Sequence, residues 1–356
     1  MTLSNATTNQ RNCRQNTTEE ERKQNLFLHC AHLVLPWLTP AELANASLTC
    51  KTLLQISKSI TLSRSLDASR SFENLAIPFH NTADNIPYAY FIYTPSQIIA
   101  SSCSQSLQRQ FWGSSDAAES NSMRLLGLEL VSRMDDTVES VSGCECENCL
   151  EVGHGNELFG CPCFSGLEDV GIVSECGPSC ACGPECENRL TQRGISVRLK
   201  IVRDVQTGWG LYADQLIQQG QFICEYAGEL LTTKEARGRQ QIYDELASRR
   251  CISSALLVVR EHLPSGKACL RMNIDATRVG NVARFINHAC DGGNLSTVVV
   301  RSVGSMLPRL CFFASKDIKE GEELTFSYGE IRVRSKGLQC FCGSSSCFGI
   351  LPAEHT

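Results

Sequence analysis

The spacing of apolar residues changes along this chain, and each change predicts a different kind of element. Residues 1–25 are polar and poor in aromatics, which predicts a disordered lead. From Leu26 to about Ile60 apolar residues recur at helical spacing, with Leu43, Cys50 and Leu54 on one face. Thr39-Pro40-Ala41-Glu42 marks a helix start there, with a hydroxyl cap, proline at the first helical position and glutamate three residues after the cap. Residues 101–140 are rich in Ser and Gln and read as a mobile insertion. Beyond Cys186 the period falls to two. Val197, Leu199 and Ile201 alternate with polar residues, and Phe222, Cys224 and Tyr226 fall two apart, which predicts half-buried strands. Residues 298–300, 310–313 and 324–328 read as further strands, and Thr232-Thr233-Lys234-Glu235 opens one helix running to Glu245. No βαβ alternation and no Gly-x-Gly-x-x-Gly after a strand is present, so a doubly wound Rossmann sheet is disfavoured. The larger half is expected to be mostly β.

Composition narrows the classes. The 356 residues suffice for about two or three domains. No apolar run approaches the roughly 20 residues that span a bilayer, and the N-terminus lacks the apolar core of a secretory signal, so no membrane role is expected. A net charge of -5 disfavours a broad nucleic-acid-binding face and suits a basic partner such as a lysine-rich peptide.

The cysteines change the picture most. Of 21, nine lie between Cys144 and Cys186 and three between Cys340 and Cys347. In a reducing compartment such density reads as metal ligation rather than disulfides. The first group comprises Cys144, Cys146, Cys149, Cys161, Cys163, Cys176, Cys180, Cys182 and Cys186. Structural zinc takes four thiolates in a tetrahedron, so nine cannot fill separate sites, but they serve three zincs if three sulfurs bridge. The assembly then carries a net charge of about -3, which places Arg189 or Arg193 as neutralising partners. The second group, Cys340-x-Cys342-x4-Cys347, is one ligand short.

The nine-cysteine pattern, closing with Cys186-Glu187-Asn188-Arg189, resembles the pre-SET module of suppressor-of-variegation-type histone methyltransferases. The segment from Ile77 to Asp84, with Tyr93, is similar to the lead-in of that module. Four ordered motifs extend the resemblance over about residues 73–351: Gly208-Trp209-Gly210, Tyr226-Ala227-Gly228-Glu229, the run from Asn281 through Arg284-Phe285-Ile286-Asn287-His288-Ala289 to Cys290, and Gly321 through Phe326-Ser327-Tyr328-Gly329. Within the segment 26–70, the stretch from Leu35 to Ser57 resembles part of an F-box, a helical adaptor of ubiquitin ligases, as in a small plant subgroup of the same proteins; the alternative is a small helical hairpin that packs on the rest.

The resemblance implies a mostly β SET fold of small curved sheets with a pseudoknot, a pre-SET zinc module over 73–190, a SET domain over 195–331 and a post-SET zinc motif over 336–352. It implies SAM-dependent methylation of protein lysine, with lysine nine of histone H3 as target, two or three methyls added, and action in chromatin silencing. The partners would be the histone H3 tail or another lysine-bearing peptide, chromatin, and a ubiquitin-ligase core through the N-terminal segment, in the nucleus and on the chromosome. Gly208, Trp209, Gly210, Arg284, Asn287, His288, Tyr328 and Phe341 would hold SAM, and Tyr226, Tyr328 and Phe326 would face the lysine. Cys290 would complete Cys340, Cys342 and Cys347, giving about four zincs. The eight cysteines then left over are expected to be small buried apolar residues. Three departures stand out: Ala289 for the usual serine, Ser327 for aspartate, and Ser254-Ala255-Leu256-Leu257 where a tyrosine-bearing strand is usual. They favour, as one rival, a catalytically weak chromatin scaffold; the N-terminal segment favours another, an F-box-type adaptor.

Overall fold

The computed structural model describes residues 26–99, 108–109, 143–146, 149, 161, 163, 172–248, 254–262, 269–305, 307–329 and 339–352. The expected disordered lead, and all of the 101–140 insertion except Gln108–Arg109, lie outside them. The chain divides into two units, Met1–Leu66 and Asp67–Thr356.

In the first unit residues 26–34 are helical, followed by a 3-10 turn Leu35–Trp37 and the helices Pro40–Ser47 and Lys51–Leu66. The expected capping box forms. Glu42 N donates to Thr39 Oγ1 and Thr39 N donates to Glu42 Oε2 at 2.8 Å. Ala31, Leu35, Leu43 and Ile56 make the core. Cys50 and Leu54, expected on the face of Leu43, are exposed, because the chain turns at residues 48–50 and the helical period restarts there. Cys30 is exposed too, so two of the eight leftover cysteines depart from the expected burial, while Cys224 and Cys311 keep to it. The side chains of Cys13, Cys103, Cys251 and Cys269 lie outside the described residues.

The second unit is built of strands, as the period of two predicts. One sheet has the order Ile172–Glu175, Leu295–Ser302, Arg309–Ala314, Phe222–Glu225, its first pair parallel and the others antiparallel. A second runs Leu256–His262, Cys269–Gly280, Gly228–Leu231, Ile98–Ile99, Gln108–Arg109, with Ile92–Tyr93 on Cys269–Gly280. A third joins Phe79–Asn81, Leu199–Asp204 and Gly208–Ala213. The helix Thr233–Ser248 runs three residues past its expected end. Inward-facing Ile201, Leu211, Ile217, Ile223, Ile274 and Phe312 form the common core, with no exposed surface.

Two features position the site. Along Cys269–Gly280 the register jumps: Asp275 pairs with Glu229, but Gly280 pairs with Gly228, so residues 276–279 arch away from the strand Gly228–Leu231, while Val279 pairs instead with Ile92. A Cβ on Gly228 would lie 2.7 Å from Asp275 O, and one on Gly280 2.7 Å from Ala276 Cβ, so both positions need glycine. The second is a threading. Asn287–His288 pairs in parallel with Thr325–Phe326, while Leu324 N donates to Leu211 O at 2.8 Å and Ala213 N donates to Glu322 O at 3.0 Å. The final motif is thereby sewn between the 287–294 segment and the strand Gly208–Ala213.

Candidate active site and metal centres

The nine cysteines of the first group come together, eight of them buried. Cys144, Cys149 and Cys176 form the centre, with Sγ separations of 3.6 Å (Cys144 to Cys149), 3.6 Å (Cys149 to Cys176) and 3.9 Å (Cys144 to Cys176). With these three as bridges, each of three tetrahedra is completed by two more thiolates. Cys146 and Cys161 join Cys144 and Cys149, and Cys182 and Cys186 join Cys149 and Cys176. Cys163 and Cys180, 3.6 Å apart, stand within 4.8 Å of both Cys144 and Cys176. Closed all-thiolate sites of this kind suit structural zinc. Arg189 Nη2 donates toward Cys182 Sγ at 3.6 Å and to Gly177 O at 2.7 Å, so a cation meets the excess negative charge. Arg193 instead binds the carbonyls of Glu185 and Cys186. Beside the cluster, buried Glu175 accepts from Thr191 N at 2.7 Å and from Arg309 Nη2 at 2.8 Å, fixing the end of the cysteine-rich segment to the first sheet.

Cys290, Cys340, Cys342 and Cys347 form the other four-sulfur group, all within 4.8 Å. The tail it holds supplies one wall of a cavity of about 560 Å³, through Gln339, Phe341 and Leu351. The opposite wall comes from Asn287, His288, Glu323 and Tyr328. His288 joins the two. Its Nδ1 accepts from Tyr328 N at 3.1 Å, which leaves the proton on Nε2, 3.2 Å from Cys290 Sγ. Burial pushes the imidazole pKa down, so the ring is neutral. Asn287 Nδ2 donates to Glu323 Oε1 at 2.7 Å, and burial raises the Glu323 carboxyl. A Cβ on Gly210 would fall 2.5 Å from that same Glu323 oxygen, so the bare glycine is what lets the two motifs meet.

Next to the cavity an aromatic chain runs inward. Tyr328 lies 5.0 Å from Phe326 between ring centroids, Phe326 4.8 Å from Phe312, and Phe312 6.3 Å from Tyr226. Tyr328 OH donates to Ile286 O and Tyr226 OH to Ala255 O, both at 2.8 Å. Burial pushes both phenols well above their ordinary range, so both stay protonated.

Thus Asn287, His288, Tyr328 and Phe341 share the cavity, and Gly208, Trp209 and Gly210 stand behind it, with Trp209 O accepting from Asn287 Nδ2 at 3.5 Å. Arg284 does not line it. Its guanidinium lies 4.8 Å from the Phe91 ring and 5.3 Å from Phe285, and burial lowers its pKa to about 10. Of the three departures, Ser327 is exposed and Ala289 N keeps a ladder bond to Phe326 O at 3.0 Å. Only the third reaches a site tyrosine, because Ala255 provides the carbonyl for Tyr226. Sequence reasoning missed Glu323, Gln339 and the bond from Tyr226 to the Ala255 carbonyl. The -Gly-Glu-Glu- of the final motif carried a signal for Glu323; a main-chain carbonyl carries none.

Residues 208–329 match the family model described as the SET domain. Over 334 residues, 93% of this chain and 92% of the relative, the sequence is 61% identical to histone-lysine N-methyltransferase SUVR3 of Arabidopsis thaliana. Among solved structures it is similar to Arabidopsis thaliana SUVH6 in complex with SAM, at 26% identity and a TM-score of 0.57, over 84% of this chain and 59% of that one. It is also similar to KRYPTONITE in complex with mCHH DNA, an H3(1-15) peptide and SAH, at 25% identity and a TM-score of 0.56, over 80% of this chain and 53% of that one.

Proposed function

Given that this chain belongs to the SET-domain histone-lysine N-methyltransferases, we propose that it methylates lysine nine of histone H3 in the nucleus, adding two or three methyls in chromatin silencing. An H3 peptide in the KRYPTONITE complex supports the histone tail as substrate, and the acidic balance of the chain suits a basic one.

The observation that carries the mechanism is the state of the two site tyrosines. Each hydroxyl proton is already donated to a main-chain carbonyl. What each phenol presents to an incoming amine is therefore a lone pair, and the pair can accept N–H bonds while leaving the nitrogen lone pair free. Holding the amine in that way is orientation rather than proton removal. A lysine with an ordinary pKa of about 10.4 costs roughly 4 kcal/mol to present neutral near pH 7.4. Apolar surroundings such as Phe312 and Phe326 lower that cost by disfavouring the ammonium. SAM supplies the methyl group and a sulfonium charge. Asn287, His288, Tyr328 and Phe341 would hold it, with Gly208, Trp209 and Gly210 behind; the fit rests on a cavity that combines polar and aromatic walls and on the close approach at Gly210.

Phe326 sets the number of methyls. It is 4% exposed and has no hydroxyl to retain a water where methyl groups must accumulate. Displacing such a water changes rates by about tenfold. With an H3 peptide of residues 1–15 and SAM, mass spectra are expected to show two or three methyls on lysine nine, and none when that lysine is replaced by alanine. Phe326→Tyr is expected to add the first methyl at the normal rate and the later ones slowly. Methylation that survives replacement of lysine nine would overturn the target; wild type stopping at one methyl would overturn the role of Phe326.

A further inference from the structure

We propose that Thr277 is a positioning residue for methyl transfer, acting through the Ala255 peptide on the Tyr226 hydroxyl; this rests on the reading of Tyr226 as an acceptor for the substrate amine. Thr277 stands among residues 276–279, where the register with the strand that follows Tyr226 is broken. Its Oγ1 accepts from Ala255 N at 2.9 Å. The other end of the same residue, Ala255 O, accepts from Tyr226 OH at 2.8 Å and from Ala276 N at 3.0 Å. A residue held at both its amide and its carbonyl cannot swing that carbonyl away from the phenol.

The threonine is itself fixed. Thr277 N donates to Asp275 Oδ1 at 3.0 Å, while Asp275 Oδ2 accepts from Arg239 Nη1 and Tyr243 OH, each at 2.7 Å. Arg239 also grips Glu229, the strand partner of Asp275, at 2.6 Å. Although burial alone would raise it, the Asp275 carboxyl is held below its ordinary value by Thr277, Arg239 and Tyr243, so it stays an ionised acceptor. A chain of hydrogen bonds thus runs from the helix Thr233–Ser248 to the phenol.

Such a brace matters because of where Ala255 sits. The ladder of Leu256–His262 with Cys269–Gly280 begins at Leu256, so Ala255 lies just outside it, where strand ends fray unless tied down. If its carbonyl drifts, the Tyr226 proton is released to point elsewhere, and the lone pair no longer faces the amine in a fixed direction. The bland role for Thr277 is to satisfy one buried N–H, which affects stability but not the geometry of the phenol.

The two roles separate in a double-mutant cycle on the full chain, assayed with SAM and the H3 peptide of residues 1–15. Thr277→Val is expected to lower kcat about tenfold, with KM for SAM and zinc content unchanged, and Thr277→Ser to restore most of it. In a Tyr226→Phe background, Thr277→Val is expected to have no further effect on kcat. Wild-type kcat in Thr277→Val beside an impaired Tyr226→Phe overturns the proposal, as does full multiplication of the two losses. Wild-type kcat in Tyr226→Phe overturns instead the reading of Tyr226 itself. Should Thr277→Val not fold, Thr277→Ala enters the same cycle with the same expected and overturning results.

Discussion

The two cysteine clusters use one ligand chemistry in opposite settings. The nine thiolates from Cys144 to Cys186 are buried except for Cys146, crowd together at Cys144, Cys149 and Cys176, and connect through Glu175 and Arg309 to the sheet of Phe222–Glu225. The four thiolates of the tail are only partly covered, Cys340 excepted, and one of them touches His288 in the cavity wall. Each of the larger cluster's three centres leans on the other two, so it behaves as a small second core. The tail site stands alone and acts as a clasp on the cavity. Metal in the first place would hold the chain together; metal in the second would hold the cofactor site closed.

The comparison breaks most visibly at a bridge. Cys176→Ser is expected to release more than one of about four zincs and to abolish the cooperative melting transition, because two centres lose a ligand together. Elemental analysis and calorimetry would check this, and four retained zincs with an unchanged Tm would remove Cys176 from the bridging set. Graded chelation sharpens the contrast. The first zinc to leave is expected to be the tail's, lowering methyl transfer on the order of 100-fold while the melting transition persists; simultaneous loss of all zincs with unfolding would erase the distinction. The smallest effect is expected from Phe341→Ala, which leaves every thiolate in place. Losing part of an aromatic wall should raise KM for SAM about tenfold at constant zinc content, read from initial rates.

Much of this was legible in the sequence for definite physical reasons. Zinc geometry constrains cysteine spacing, so the clusters could be read as ligands before any strand was placed. The period of two beyond Cys186 gave the β character, and the capping box gave the start of Pro40–Ser47. What escaped was set by backbone and by breaks in period. Cys50 looked like a core position because the turn at residues 48–50 resets the helical count without a glycine or proline to mark it. Arg284 sits within the most recognisable motif, yet nothing in its spacing announces that its guanidinium lies 4.8 Å from the Phe91 ring. The arch of residues 276–279 announces itself only by two glycines far apart in sequence, and the Ala255 carbonyl has no side-chain signature at all.

The clasp also imposes an order in time. Chains leave the ribosome from the N-terminus, and segments fold as they become available. All nine ligands of the larger cluster have been made by Cys186, so that cluster can load metal while the catalytic strands are still being synthesised. Cys290, by contrast, waits fifty residues for Cys340 and still longer for Cys347. Until then the His288 side of the cavity has no opposite wall. A nascent chain stalled before Cys347 would therefore be braced but unable to enclose its cofactor, so catalytic competence waits until Cys347 has been made.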